Sequence, residues 1–199
     1  MTLAEHAANR GRYHERMIRL PHVALAILAV ALAGCSSGPS ASRRGGASDT
    51  SVVVPVSVGQ LKRQLARPGA NATVLNVWAT WCVPCREEFP TLLNVARERQ
   101  RDGVRLVLVS SDFDDQGPAI TKFLKQHGVT DTTYWKTGDD MTFINGLSPR
   151  WTGALPATFV YDRDGQLTGF WEGRADSMQF EGAISQALAH HSSTEVPKP

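Results

Sequence analysis

Hydrophobic positions along the chain change rhythm from stretch to stretch, and the changes predict strands and helices in turn. Residues 73–79 are β-branched, aromatic or apolar at most positions, as in a buried strand. From Phe89 onward, apolar residues return at helical spacing: Phe89, Leu92, Leu93, Ala96. Pro90 lies two turns into that helix and is expected to interrupt and kink it, because it removes a backbone donor. After the turn at Asp102-Gly103, residues 104–110 are almost continuously apolar, as in a central strand covered on both faces. Residues 116–127 predict a helix with Ile120, Phe123 and Leu124 inward, His127 complementing the dipole at its end and Gly128 stopping it. Residues 157–161 and 166–171 flank Asp162-Arg163-Asp164-Gly165 as an antiparallel hairpin. Asp176 then caps a last helix that puts Phe180, Ile184 and Leu188 on one face. Shorter signals fill the gaps. Val52-Val53-Val54 before Pro55 reads as an edge strand, and 57–67 as a helix capped by Ser57, with Val58, Leu61 and Leu65 inward and Pro68-Gly69 at its end. Tyr134-Trp135 reads as a short strand, and 139–147 as a short helix capped by Asp139.

With 199 residues, 42% of them hydrophobic, the chain can bury one full core. The formal charge of +2 is carried by the leader. Residues 1–34 hold four arginines against two glutamates, leaving 17 basic and 17 acidic residues from Cys35 onward. A neutral body without a basic stripe argues against nucleic acid as a partner. Arg10, Arg12, Arg16 and Arg19 precede an apolar run at 23–34, which is too short to cross a hydrocarbon core of about 30 Å and has the length of a signal-peptide core. Met17 is an alternative start that keeps this core. The run ends in Leu32-Ala33-Gly34-Cys35, which resembles a bacterial lipobox. That resemblance implies cleavage after residue 34 and lipidation of Cys35, with several acyl chains on one residue giving stable membrane anchoring. An ordinary secretory signal, or an uncleaved anchor with Cys35 free, remains the alternative. The expected organisation is a lipoprotein signal peptide at 1–34, the lipidated cysteine and a flexible tether at 35–51, a folded domain at 52–191 and a disordered tail at 192–199. The small, polar tether has a reach of roughly 20–24 Å as a coil.

The chemistry concentrates at Cys82-Val83-Pro84-Cys85, between the strand and the helix. Unpaired N–H groups and the partial positive charge at a helix N-terminus stabilise a thiolate, the nucleophile of disulfide exchange. Cys82 is expected to be the more exposed attacking sulfur, Cys85 the resolving one, and Trp81 a lid or partner surface beside them. A structural zinc site would need two further ligands at comparable spacing, and no second pair exists.

The segment Trp78-Ala79-Thr80-Trp81-Cys82-Val83-Pro84-Cys85 resembles the active site of thioredoxin-like proteins. The following Arg86-Glu87-Glu88-Phe89-Pro90 resembles the membrane-anchored envelope reductants of the TlpA/ResA type. The resemblance spans about residues 52–190. It implies an α/β thioredoxin fold, a central mixed sheet with helices on both faces, with an N-terminal extension and a central insertion around 130–152. It also implies that Pro156 is a cis-proline whose loop packs against the dithiol, and that Leu155 before it offers backbone groups to a partner peptide. A trans proline opening an edge strand is the alternative for Pro156. Asn76 departs from the pattern, standing where thioredoxins keep a buried aspartate. Glu88 matches an acidic residue that tunes the thiols or relays a proton, or else it is a solvated surface glutamate. The activity implied is thiol–disulfide exchange without cofactor or metal, at the extracytoplasmic side of a bacterial membrane. Its partners would be client protein disulfides, for example in cytochrome c maturation or copper-site assembly, and an integral-membrane electron donor. Oligomeric state is left open. Two alternatives stand beside it: a thiol peroxidase of the same fold, and a copper carrier using both thiols with Met141 or Met178 as a further ligand.

Overall fold

A computed structural model describes residues 52–190. The leader, Cys35, the tether and the tail lie outside the described residues. The sheet contains six strands, β1 (Val53–Val56), β2 (Ala72–Trp78), β3 (Val104–Ser110), β4 (Thr133–Lys136), β5 (Ala157–Asp162) and β6 (Leu167–Glu172), in the order β1-β4-β3-β2-β5-β6. β1, β4, β3 and β2 run parallel, β5 adds antiparallel to β2, and β6 pairs antiparallel with β5 at the edge. Parallel neighbours require crossovers. These are supplied by α1 (Val58–Leu65), α2 (Val83–Arg99) and α3 (Gly117–Gln126), while α4 (Asp140–Leu147) and α5 (Ser177–His190) complete the helices.

Every residue of β2 is buried, so its period of two sends side chains into two separate layers. Ala72, Val74 and Trp78 enter a cluster with α2, α3 and α5; Leu75 and Val77 enter another with α1 and α4. Helices on both faces of a mixed sheet, with a closing hairpin and helix, form the thioredoxin fold expected from the sequence. The segment at 130–152 is built into this fold: β4 joins β1 to β3, Phe143 and Trp151 are core residues, and α4 packs on α1.

Local signals explain most boundaries. Ser57 and Gln60 form a reciprocal capping box on α1, and Asp139 and Asp176 cap α4 and α5 through the backbone N–H groups of Thr142 and Gln179. α2 differs from expectation because it runs unbroken through Pro90 for 17 residues. Pro90 is exposed, so its ring lies on the solvent side and the helix continues through it with its packed side intact. The buried stripe includes Val95 as well as Phe89, Leu92 and Leu93.

Candidate functional site

β2 ends at Trp78, whose ring is fully buried against Phe89 and Phe123, with centroids 5.0 and 4.9 Å away. That anchor aims the next residues at the start of α2. Cys82 is the N-cap of the helix, with extended backbone angles, and its Sγ accepts from the Cys85 N–H at 3.3 Å. Pro84 sits in the first turn, where a missing donor costs no intrahelical bond. Cys82 and Cys85 are joined in a disulfide. The expected order of exposure holds, but both residues are nearly enclosed, at 5% and 1%. Trp81 is 53% exposed and stacks on Phe113, itself 68% exposed, at 6.2 Å with an interplanar angle of 21°.

The loop between β2 and α2 is held from the side by Asp112, a residue the sequence reading did not select. Its buried carboxylate accepts from the Thr80 N–H at 3.0 and 3.1 Å, from the Thr80 hydroxyl and from the Ser110 hydroxyl. Ser111 and Asp112 follow β3 and belong locally to a loop. Only the fold shows that it faces the dithiol loop 32 residues earlier in the chain.

Glu88 is 2% exposed, which removes the reading of a solvated surface glutamate. It lies one turn beyond Cys85 on the buried side of α2. There Oε1 accepts from Asn76 Nδ2 at 2.9 Å, and Oε2 accepts from the Ala175 N–H at 2.9 Å. Asn76 also donates to the Thr158 hydroxyl at 3.0 Å, its direct cross-strand partner on β5. Asn76 and Glu88 thus share one buried polar contact within an otherwise apolar layer. Burial raises the Glu88 carboxyl above its ordinary value, opposed by the Ala175 and Asn76 hydrogen bonds and by the Arg174 charge. The Asn76 Oδ1 has no hydrogen-bond partner. With the amide turned over, it would be placed to accept from a protonated Glu88.

The Leu155–Pro156 bond is cis, in place of the trans alternative. The Pro156 carbonyl accepts from the Gly173 N–H at 2.8 Å, tying this loop to the end of β6. Leu155 is partly buried against both core layers, including the one that contains the cysteines. Among the described residues there is no cluster of three or more His, Cys, Asp or Glu placed to bind a metal. Met141 and Met178 are both exposed, Met141 on α4 in the layer opposite α2. His127 caps the end of α3 as expected, with Nδ1 2.9 Å from the Phe123 carbonyl.

The chain is 28% identical over 112 residues to the thiol-disulfide oxidoreductase ResA of Bacillus anthracis, covering 56% of this chain and 61% of that one. With its namesake from Bacillus subtilis (strain 168) it shares 31% over 93 residues, 47% of this chain and 48% of the other. The chain thus spans about half to six-tenths of the length of these curated relatives. A thioredoxin-family thiol:disulfide interchange protein from Chlorobium tepidum TLS matches in structure with a TM-score of 0.53 and 25% identity, over 64% of this chain and 84% of that one. A thioredoxin-related protein from Neisseria meningitidis serogroup B gives 0.51 and 26%, over 60% and 87%. The model of the AhpC/TSA family matches residues 57–169, more than half of the sequence, and the chain belongs to that family.

Proposed function

We propose that this protein is a thiol–disulfide oxidoreductase that reduces disulfides of client proteins in a bacterial cell envelope, tethered to a membrane through Cys35. The observation that carries the reading is the Cys82–Cys85 disulfide at the first turn of α2, with Cys82 as N-cap beside the exposed Trp81. The names of the relatives support the same chemistry. The resemblance to envelope reductants supports the direction, and the lipobox supports the anchor.

In the reduced protein the Cys82 thiolate, stabilised by the Cys85 N–H and the end of the helix, attacks one sulfur of a client disulfide. The other client sulfur leaves as a thiolate and takes a proton, and a Cys82–client mixed disulfide remains. Cys85 loses its proton and attacks the Cys82 sulfur; the second client thiolate leaves and is protonated. The client gains two electrons and two protons, and the protein returns to the disulfide form. Glu88 is the buried carboxyl one turn from Cys85, and its role is to receive the Cys85 proton. The Leu155–Pro156 loop offers backbone groups to the client during the mixed-disulfide stage. Disulfides persist outside the cytosol, so the spent protein is recharged by a dithiol of an integral-membrane donor. Clients in cytochrome c or copper-site assembly fit this setting.

The test is the redox equilibrium of the full chain against a dithiothreitol or glutathione series, read by alkylation of both cysteines. A potential near or below about −270 mV supports a dedicated reductant, whereas one near about −120 mV reverses the direction. Cys85→Ser should hold a client on Cys82 as a mixed disulfide on non-reducing gels. Peroxide consumption without a reversible dithiol couple would replace the reading with a thiol peroxidase.

A further inference from the structure

A pocket of about 540 Å³ opens beside the loop and helix start that carry the dithiol, between the first turns of α2 and one face of α3. Thr80 and Val83, which bracket Cys82 in sequence, both line it. From α3 come Ala119, Lys122, Phe123 and Gln126, whose spacing places them on one side of the helix. The His127 ring packs on Phe123 at 4.2 Å and on Phe89 at 5.2 Å, and its Nδ1 is engaged by the Phe123 carbonyl. The walls are therefore partly apolar, and the charge comes from Arg86, Glu87 and Lys122.

Those three charges are not equivalent. Glu87 is paired with Arg174 at 2.7 Å, so its negative charge is offset from outside the pocket. Arg86 and Lys122 are exposed and form no ion pair among the described residues. Arg86 stands four residues after Cys82, and its N–H donates to the Cys82 carbonyl at 3.1 Å, so its side chain begins one turn from the attacking sulfur. Asp114 and Asp115, on the loop before α3, do not line the pocket. The pocket thus carries two positive charges without an ion-pair partner over a partly apolar wall.

Resting on the exchange reaction above, we propose that this pocket selects clients by holding an acidic side chain, an Asp or Glu near the client cysteine that Cys82 attacks. The acidic group meets Arg86 and Lys122 while its methylene stem lies against Val83 and Phe123. Complementary charges at the rim raise the encounter rate and suppress wrong partners more than they tighten binding. The selection therefore acts on the rate of mixed-disulfide formation. Clients with lysine or arginine at the same place are disfavoured.

The experiment uses the full chain, reduced and freed of reductant, with three disulfide-closed peptides that differ only in carrying Glu, Gln or Lys beside one half-cystine. Second-order rates of peptide reduction are measured by thiol alkylation. The Glu peptide is expected to react about fivefold faster than the Lys peptide at low salt, the scale of two exposed charge pairs, with Gln between them. Added salt narrows the ratio. The Arg86→Glu/Lys122→Glu variant inverts it, and Arg86→Gln/Lys122→Gln flattens it; because each ratio is taken within one variant, a general change in activity cancels. If the charge-reversed variant does not fold, the Gln pair carries the test. Equal rates for the three peptides, or a preference that survives in the variants, overturn the pocket and leave the exchange reaction standing. Failure to reduce any of the three overturns the exchange reaction itself.

Discussion

Glu88 shows how one residue changes meaning when its surroundings are known. In sequence it is one of two adjacent glutamates early in a helix, and helical periodicity alone does not decide whether it faces water. In the fold its carboxyl is buried against Asn76 and the Ala175 N–H. Because burial is the largest influence on it, the folded chain keeps its proton to a higher pH than the unfolded chain, whose carboxyl has the ordinary value of 4.5. Above that value the unfolded state releases its proton first, so stability falls as pH rises from 4.5 through the raised folded value. Below 4.5 the penalty is absent. Glu88→Gln is expected to flatten this fall, seen in denaturant midpoints across that pH range. The same change removes a negative charge near the thiols and should lower the midpoint of the Cys82 alkylation profile by about one unit. An unchanged profile would show that the carboxyl is not coupled to the dithiol.

At the level of elements, the approach of β2 to α2 depends on a clamp from β3. The sequence makes the entry to α2 legible through the Cys-X-X-Cys at a helix start and Pro84 in the first turn, because caps and prolines act within a few residues. It does not reveal Asp112, whose partner Thr80 is near only because β2 and β3 pair in parallel from Ala72↔Val104 to Trp78↔Ser110. Asp112→Ala leaves the Thr80 N–H without its acceptor in a partly buried site and is expected to cost about 2–3 kcal/mol of stability, measured by chemical denaturation. A loss within ±0.5 kcal/mol, typical of plain surface positions, would mean that the clamp carries no load. Pro90 is the complementary case. Its effect on a helix is ordinarily disruptive, but it lies on the exposed side of α2, and the element continues through it.

On the scale of the molecule, the dithiol sits where β2 ends and α2 begins, next to Trp81, which stacks on Phe113. Among the described residues no helix is long and apolar enough to cross a membrane. The proposed membrane attachment is through Cys35, and Cys35→Ser is expected to move the protein from the membrane fraction to the soluble one while leaving peptide-disulfide reduction by the domain unchanged. Retention of the variant in the membrane fraction would transfer the anchoring to another part of the leader.

The order of elements, most of their caps and turns, and the reactive pair were legible along the chain, whereas the cis-proline at Pro156 was an expectation from family resemblance alone. The elements, caps and reactive pair are encoded by neighbours a few residues apart, through periodicity, side-chain caps or a short motif. Which polar residues share a space became visible in the fold. Asn76, Glu88 and Thr158 meet because a strand, a helix and a returning hairpin strand turn the same layer inward. Arg86 and Lys122 line one pocket because α2 and α3 cover the same face of the sheet. Such pairings depend on the register and packing of distant segments, so the spacing of residues along the chain carries no local trace of them.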